Sequence, residues 1–447
     1  SLIYVLREQS KIAEASRYQE ILDKSVPGEI KLRFETALNH FTQKNYAEAE
    51  TELNEILKIS SAHNPSGILL GVIKNSQGDI VEAERILSLY VNENTKPEIV
   101  KLLASLQLKL NKASSAVDTL QLGLSKNETD ASMQSLLGIS QIASGQNSEG
   151  VTSIEKAMQK DPTDISLKIK YAQALSSTNQ KDEALAFIKT TFTDTPKDSR
   201  ALMLYSYLLN EVGQTKKAIE IAKDWSKQNP KVADGYLIVG SLYLSKREFN
   251  LAIKNLTHAK DLDSKNTQAL LNLGKAYVGN KQPDLAQKYF YQAIQLSPES
   301  PDVNRVFFSY TNSQNSAEKV VSTYEQLVSE LPDSTVPHVA LAELYLKQGS
   351  FDKAIKTVSD ARFSSNMVAQ SIIKTSAQQK ARQLVSQGKA AEAKLFIDDL
   401  IAKQTGEDID LHFDLVENIA NVHPEQQGVA AIRFPYAQMN TSITNAI

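Results

Sequence analysis

The stretch "TQALLNLGKAYVGNKQPDLAQKYFYQAIQLSPES", Thr267 to Ser300, decides the fold. Leu273, Gly274 and Tyr277, then Ala286, Phe290 and Ala293, recur at the three- and four-residue steps that place side chains on one face of a helix. Two helices are therefore expected, separated by a turn. Pro298 closes the stretch, because proline lacks the amide donor and clashes with the preceding helical turn. Pro283 lies within the stretch without breaking it, since it falls in the first turn of the second helix, where a missing donor costs nothing.

Outward from this stretch the pattern recurs. Between Pro97 and Val368 it runs eight times at 34 residues with nothing inserted, opening at Pro97, Ala131, Ile165, Ser199, Ala233, Thr267, Pro301 and Thr335. A small residue returns at Ala104, Gly138, Ala172, Ser206, Gly240, Gly274 and Ala342, and a tyrosine three places later at Tyr243, Tyr277 and Tyr345. Turns are marked by Gly145, Gly213 and Gly349 or by Asn111 and Asn179, residues that accept the left-handed conformation of a helix end. Second helices share Ala116, Ala184, Ala218, Ala252, Ala286 and Ala354, with a bulky Leu120, Ile154, Ile188, Leu256 or Phe290 four places beyond that site, and commonly a further alanine at Ala157, Ala259, Ala293 or Ala361. The glycines are expected to bring paired helices close, Gly240 against Ala252 and Gly274 against Ala286, with the tyrosine filling the wedge beside the contact. A fixed period with two helical patterns per copy means a stacked array, whose product is an extended surface rather than a buried pocket.

These residues resemble the signature of the tetratricopeptide repeat family. The resemblance implies an all-α, right-handed superhelix of about eleven helix-turn-helix repeats, an α-α solenoid. Less regular copies continue it upstream near Ile30 and Asn64 and downstream near Lys374, after an insertion following Val368. The expected organisation is a leading helix or partial repeat over 1–29, the array over 30–407 and a cap or tail over 408–447. In this family the first helices line the concave groove. The resemblance therefore nominates Lys101, Ser105, Leu108, Ser135, Ile139, Ile142, Ile169, Gln173, Ser176, Met203, Tyr207, Asn210, Leu237, Ser241, Leu244, Leu271, Lys275 and Val278 as groove residues. Apolar anchors among hydroxyls and amides suit an extended protein segment or an amphipathic helix. The acidic-tail clamp of chaperone adaptors is poorly matched, because Ser105 stands where an asparagine is needed. The asparagine ladder of the O-GlcNAc glycosyltransferase is matched only at Asn272.

The runs "ALNHFTQKNYAEAETELNEILK" from Ala37 and "GILLGVIKNSQGDIVEAERILSLYV" from Gly67, with "VKLLASLQLKLNKASSAVDTLQLGL" from Val100 and "LLGISQIASGQNSEGVTSIEKAMQKDPTD" from Leu136, resemble the repeat lipoproteins of bacterial PEP-CTERM exosortase systems. That resemblance implies an envelope or periplasmic scaffold tied to surface sorting or exopolysaccharide production, lipid-anchored outside this sequence. A cytoplasmic setting is the alternative. The first residue is Ser1 rather than Met, which reads as a processed or excised fragment.

Composition narrows the function classes. A net charge of −3, from 49 basic and 52 acidic residues, gives no global field of the kind that binds phosphate backbones, so no nucleic-acid partner is expected. With no cysteine, disulfides, thiol catalysis and thiolate zinc sites are excluded. No apolar run reaches the roughly 18 residues of a membrane span. His40, His63, His258, His338, His412 and His423 are scattered without the paired spacing of a metal site, and neither a phosphate-binding Gly-rich loop nor a nucleophile elbow is present. "GQNSEG" at Gly145–Gly150 reads as a turn entering a second helix, and Trp225 as core filling at a site other copies give to alanine. "RVFFSY" at Arg305–Tyr310 puts Phe308 where a small residue belongs, so that copy is expected to pack differently, with a local opening or kink. No catalytic, cofactor-binding or metal-ligating residue is nominated, and the chain reads as a non-enzymatic scaffold for protein partners. Two alternatives stay open: the recruiting arm of an enzyme whose catalytic domain lies outside this sequence, and a chaperone adaptor. Self-association stays open as well.

Overall fold

The computed structural model describes residues 28–363 and 366–403. The expected leading segment over 1–29, apart from 28–29, and the ending over 408–447 lie outside the described residues. Among the described residues every regular element is helical, with twenty-two α-helices and one 3₁₀ turn. They fall into two compact units, one up to Gln228 and one from Asn229.

The first unit holds α1 (28–42), α2 (Tyr46–Ile59), α3 (Asn64–Ser76), α4 (Ile80–Tyr90), α5 (Pro97–Lys109), α6 (Ala113–Leu124), α7 (Ala131–Ala143), α8 (Asn147–Lys160), α9 (Ile165–Ser177), α10 (Lys181–Asp194), α11 (Ser199–Glu211) and α12 (Thr215–Gln228). The second holds α13 (Ala233–Ser245), α14 (Phe249–Leu262), α15 (Thr267–Gly279), α16 (Pro283–Leu296), α17 (Pro301–Gln314), α18 (Ala317–Glu330), α19 (Val336–Lys347), α20 (Phe351–Thr357), α21 (Met367–Ser386) and α22 (Ala390–Lys403). Odd-numbered helices are the first of each hairpin and even-numbered ones the second. Within each unit neighbouring hairpins stack, and first helices lie beside first helices: α5, α7, α9 and α11 in one unit, α13 with α15 and α17, α19, α21 in the other.

Local chemistry explains the starts and stops. Asp130, Asp164, Asp198 and Asn266 each stand just before a first helix, and their side chains accept from its opening amides, which otherwise have no partner. Pro97, Pro283 and Pro301 open their helices, with no amide to waste. The turn within ten of the eleven described hairpins carries one residue in the left-handed region. Gly78, Gly145, Gly213, Gly349 and Gly388 do this at no steric cost, and Asn111 and Asn179 at little. Lys44, Arg247 and Lys281 adopt the same conformation, with φ of 62°, 59° and 58°, although their side chains disfavour it.

The alanines Ala116, Ala184, Ala218, Ala252, Ala286 and Ala354 have no exposed surface, and Leu120, Ile154, Ile188, Leu256 and Phe290 are buried beside them. The close contacts differ in detail from expectation. A Cβ on Gly240 would lie 2.6 Å from Leu256 Cγ, and one on Gly274 would lie 2.5 Å from the Phe290 ring. The nearest atoms to each of these two glycines thus belong to the bulky residue four places beyond the alanine. Trp225 is buried, and its indole N–H donates to the Pro196 carbonyl at 2.7 Å, as core filling requires.

Three departures lie in the second unit. The helix α17 around Phe308 is continuous over its 14 residues. The anomaly is in the following turn, where Asn315 is extended (φ −133°, ψ 159°) and no left-handed residue occurs. The helix α20 has 7 residues and is followed by a 3₁₀ turn at Ala361–Phe363, so Ala361 does not continue the second helix. The apparent insertion is absorbed by the next first helix, α21, which begins at Met367 instead of near Lys374 and runs for 20 residues.

Candidate functional site

In the first unit the nominated residues lie along α5, α7, α9 and α11 and differ in exposure. Met203 and Tyr207, one turn apart on α11, are 45% and 53% exposed, high values for large apolar side chains. Gln173 on α9 and Ile139 on α7 are also exposed, while Ile169, Ser176, Ile142, Leu108 and Asn210 are half-buried. Ser135 does not belong to this surface, being fully buried against its neighbours. Ser105 is turned back on its own helix, its hydroxyl donating to the Lys101 carbonyl at 2.7 Å.

Lys101 bridges to the next hairpin, donating from Nζ to Asp130 Oδ2 at 3.2 Å and Ser132 Oγ at 3.1 Å. Arg200 does the same in the opposite direction, reaching Ser166 Oγ at 3.0 Å while its guanidinium pairs with Asp198 at 2.7 Å. The Arg200 hydrogen bond, with help from the Ala201 and Arg200 amides, holds the Asp198 carboxyl below the usual carboxylate range in spite of partial burial. Burial pushes Asp130 upward, but the Met133 amide and Lys101 outweigh it, so that carboxyl also ends low. Both carboxylates therefore stay ionised and fix the helix starts at the edge of the face. Ser132, Ser166 and Arg200 went unnominated. Their signal was available, since each is the second residue of its copy and so lies on the same helix face as the fifth.

In the second unit Val278 is 44% exposed and Lys275 is exposed, whereas Ser241 and Leu244 are half-buried. Leu237 and Leu271 are buried at 5% and 6%, which removes them from the accessible lining. The fifth position of a first helix packs toward the neighbouring hairpin there, as Ser135 does in the first unit. Asn272 is buried and spent internally: its amide donates to Ser241 Oγ at 2.8 Å and its oxygen accepts from Gln268 at 3.0 Å. This network clips α13 to α15.

Three of the four described histidines are occupied in packing, and the fourth, His40, has a buried Nδ1 without a hydrogen-bond partner. His63 Nδ1 lies 2.8 Å from Ser66 Oγ, the His258 ring meets Tyr236 edge-on at 4.2 Å, and buried His338 packs near Phe363. His412 and His423 lie outside the described residues. Among the described residues no three histidines and carboxylates are grouped to hold a metal, and no helix is long and apolar enough to cross a membrane. Gly145, at φ +88°, turns the chain from α7 to α8, and Gly150 lies against the backbone of Gly138 inside that hairpin. "GQNSEG" is thus a hairpin turn. Tyr243 and Tyr345 are buried, and Tyr277 stacks on Tyr289 with the rings 5.4 Å apart and 2° from parallel, so these tyrosines belong to the packing.

What the first-helix face offers is a row of aligned helices bearing exposed apolar and amide groups, with charges at the edge. Two stretches of the chain, residues 141–206 and 267–300, match the tetratricopeptide repeat family. These stretches are tetratricopeptide repeats. Arrays of such repeats act as protein-binding scaffolds. Among solved structures, a tetratricopeptide repeat protein from Parabacteroides merdae is similar over 56% of this chain and 99% of its own, at 16% identity and a TM-score of 0.43. Yeast Tom70 is similar over 89% of this chain and 96% of its own, at 16% identity and a TM-score of 0.36. The thermophilic repeat protein TTC0263 of Thermus thermophilus is similar over 41% and 100%, at 18% identity and a TM-score of 0.32. No curated protein matches this chain.

Proposed function

We propose that the chain is a non-enzymatic scaffold that captures a protein segment, extended or amphipathic-helical, on the first-helix face of its first unit. The supporting observation is the exposure of Met203 and Tyr207 on α11 beside exposed Gln173 on α9 and Ile139 on α7. Large apolar groups held on rigid helices bind at little entropic cost, and neighbouring amides set the register of the bound backbone. The test is the double variant Met203→Ala/Tyr207→Ala as bait against wild type, with retained proteins identified by mass spectrometry. Loss of the specifically retained proteins at unchanged helicity is expected. Retention at full strength would place the binding surface elsewhere.

A narrower reading assigns this scaffold to bacterial envelope sorting or exopolysaccharide export. It rests on the run "GILLGVIKNSQGDIVEAERILSLYV" and its neighbours, which resemble the exosortase-associated repeat lipoproteins. Exosortase and polysaccharide genes beside the coding sequence support it, and a fused transferase domain in the full reading frame counts for the enzyme-arm alternative.

A further inference from the structure

Three second helices of the second unit end at the same place in the repeat. The helices α14, α16 and α18 stop on Leu262, Leu296 and Glu330, one residue per 34, so these three form a row along the edge where successive hairpins join. Leu262 is 37% exposed and Leu296 44%. The first unit gives the same place to Lys126, Lys160, Asp194 and Gln228, so the fold itself does not call for an apolar residue there. A single exposed leucine is ordinary on a protein surface. Two at one repeat position, where the other unit keeps polar side chains, make a small apolar strip.

Hydrogen bonds join the neighbouring loops into one surface. Thr267 Oγ1 lies 2.9 Å from Ser297 Oγ, and Glu299 accepts from the Thr335 amide at 2.6 Å. Glu330 accepts from Tyr291 at 2.8 Å, Gln295 at 2.9 Å and Gln326 at 2.8 Å. These donors are neutral, and the Gln326 and Tyr291 bonds hold that carboxyl below its usual range, so its charge stands uncancelled at neutral pH. Glu299 and Asp333 are exposed and, like Glu330, make no ion pair among the described residues. The nearby cations are taken: Lys260 by Asp261 at 2.6 Å, Arg305 by Asp302 at 2.6 Å and Arg362 by Asp360 at 2.8 Å. Lys265 stands in the loop after Leu262, at the end of the row away from Asp333. The edge therefore runs from two leucines into three unmatched carboxylates.

We propose that this edge docks a cationic protein segment, with two apolar side chains on Leu262 and Leu296 and a cluster of Lys or Arg beyond them on Glu299, Glu330 and Asp333. A nucleic acid or an anionic membrane would bring negative charge against those carboxylates and is repelled. The order of the row, apolar first and acidic last, also fixes the orientation of the bound segment. None of these residues belongs to the first-helix face around Tyr207.

The test uses the whole chain and a short fluorescein-labelled peptide with two leucines at one end and a run of arginines at the other. One twin carries glutamines in place of the arginines and a second carries alanines in place of the leucines, all read by anisotropy at low salt. The parent peptide is expected to saturate, with each twin weaker by about ten-fold or more and added salt releasing the complex. Leu262→Gln/Leu296→Gln should weaken binding by about ten-fold at unchanged circular dichroism. Glu330→Gln/Asp333→Asn should do the same and flatten the salt dependence, while Tyr207→Ala should change nothing. If either double variant loses helicity, Leu296→Gln or Asp333→Asn alone, at exposed positions, must still lower affinity. No saturation by the parent peptide, equal binding of either twin, or wild-type affinity in these variants overturns the proposal. Loss of binding in Tyr207→Ala overturns it too, by moving the contact to the first unit. A self-associated chain that becomes monomeric in Leu262→Gln/Leu296→Gln would assign the edge to a second copy and overturn it as well.

Discussion

Gly138 and Gly150 meet in a close backbone contact within the α7–α8 hairpin, and Gly138→Ala tests it directly. A Cβ at 138 would sit 2.5 Å from the Gly150 carbonyl oxygen, 2.5 Å from Ile154 Cγ1 and 3.0 Å from the Ile154 nitrogen. Two of these three atoms are backbone and cannot rotate away. Ordinary contact needs about 3.5 Å, so the helices must part by roughly 1 Å or twist against each other. Overpacking of this kind costs about 2–3 kcal/mol, and replacing a helical glycine by alanine returns about 1 kcal/mol. The expected loss is therefore about 1–2 kcal/mol, or a urea midpoint lowered by roughly half a molar at ordinary slopes. Gly71→Ala is the control: its Cβ would meet Leu87 side-chain atoms at 2.6 and 2.7 Å, with the nearest backbone atom, the Ala83 oxygen, at 3.5 Å. A leucine can change rotamer, so the same substitution should be milder at 71. Urea titration followed by circular dichroism, with amide exchange in α7 and α8, measures both. A Gly138→Ala midpoint at or above that of Gly71→Ala would falsify the backbone-contact argument.

Two further outcomes are expected. Lys281→Gly should stabilise by about 0.5 kcal/mol, since relief of a left-handed lysine slightly exceeds the entropy gained by the unfolded chain, while Gly213→Ala at φ +78° should destabilise by about 1 kcal/mol; paired urea midpoints report the signs. Asp198, held low by Arg200, contributes stability that is complete above the unfolded carboxyl value of about 3.9 and is lost as pH falls below it through the lower folded value. Thermal midpoints compared between neutral pH and about pH 3 should therefore fall further in wild type than in Asp198→Asn, and equal falls would show that the pair adds nothing.

Much of this architecture was written in the spacing of small residues. Alanine at a fixed place in most second helices, commonly with a bulky residue four places on, is a packing constraint that sequence displays directly, and Gly145 or Asn179 announces a left-handed turn because few other residues tolerate it. The residues that were not legible share a cause. Arg247 and Lys281 take the same conformation because packing on both sides of the hairpin imposes it, and nothing in their own chemistry says so. Spacing also fixes which side of a helix a glycine occupies without saying which side chain comes nearest, which is Leu256 at Gly240 and the Phe290 ring at Gly274. The nominated surface divided for a similar reason: Met203 and Leu237 hold equivalent places in successive copies, yet one is 45% exposed and the other 5%, because accessibility depends on the side chains that the neighbouring hairpin happens to bring. The shortened α20 was hidden because Ala354 and Ala361 keep the repeat phase through a break in the helix.

The turn at Asn315 and Ser316 has a practical consequence. Every other described hairpin is closed through one residue held left-handed, so lengthening that turn disturbs a conformation the whole pair depends on. Here the chain passes in extended form from Gln314 to a helix whose opening Ser316 caps by its own hydroxyl. Added residues would splice into backbone that is already straight, and loop closure grows only slowly with length. An epitope, a fluorophore-bearing cysteine or a protease site placed between 315 and 316 gives a handle on the second unit that leaves both flanking helices their native ends.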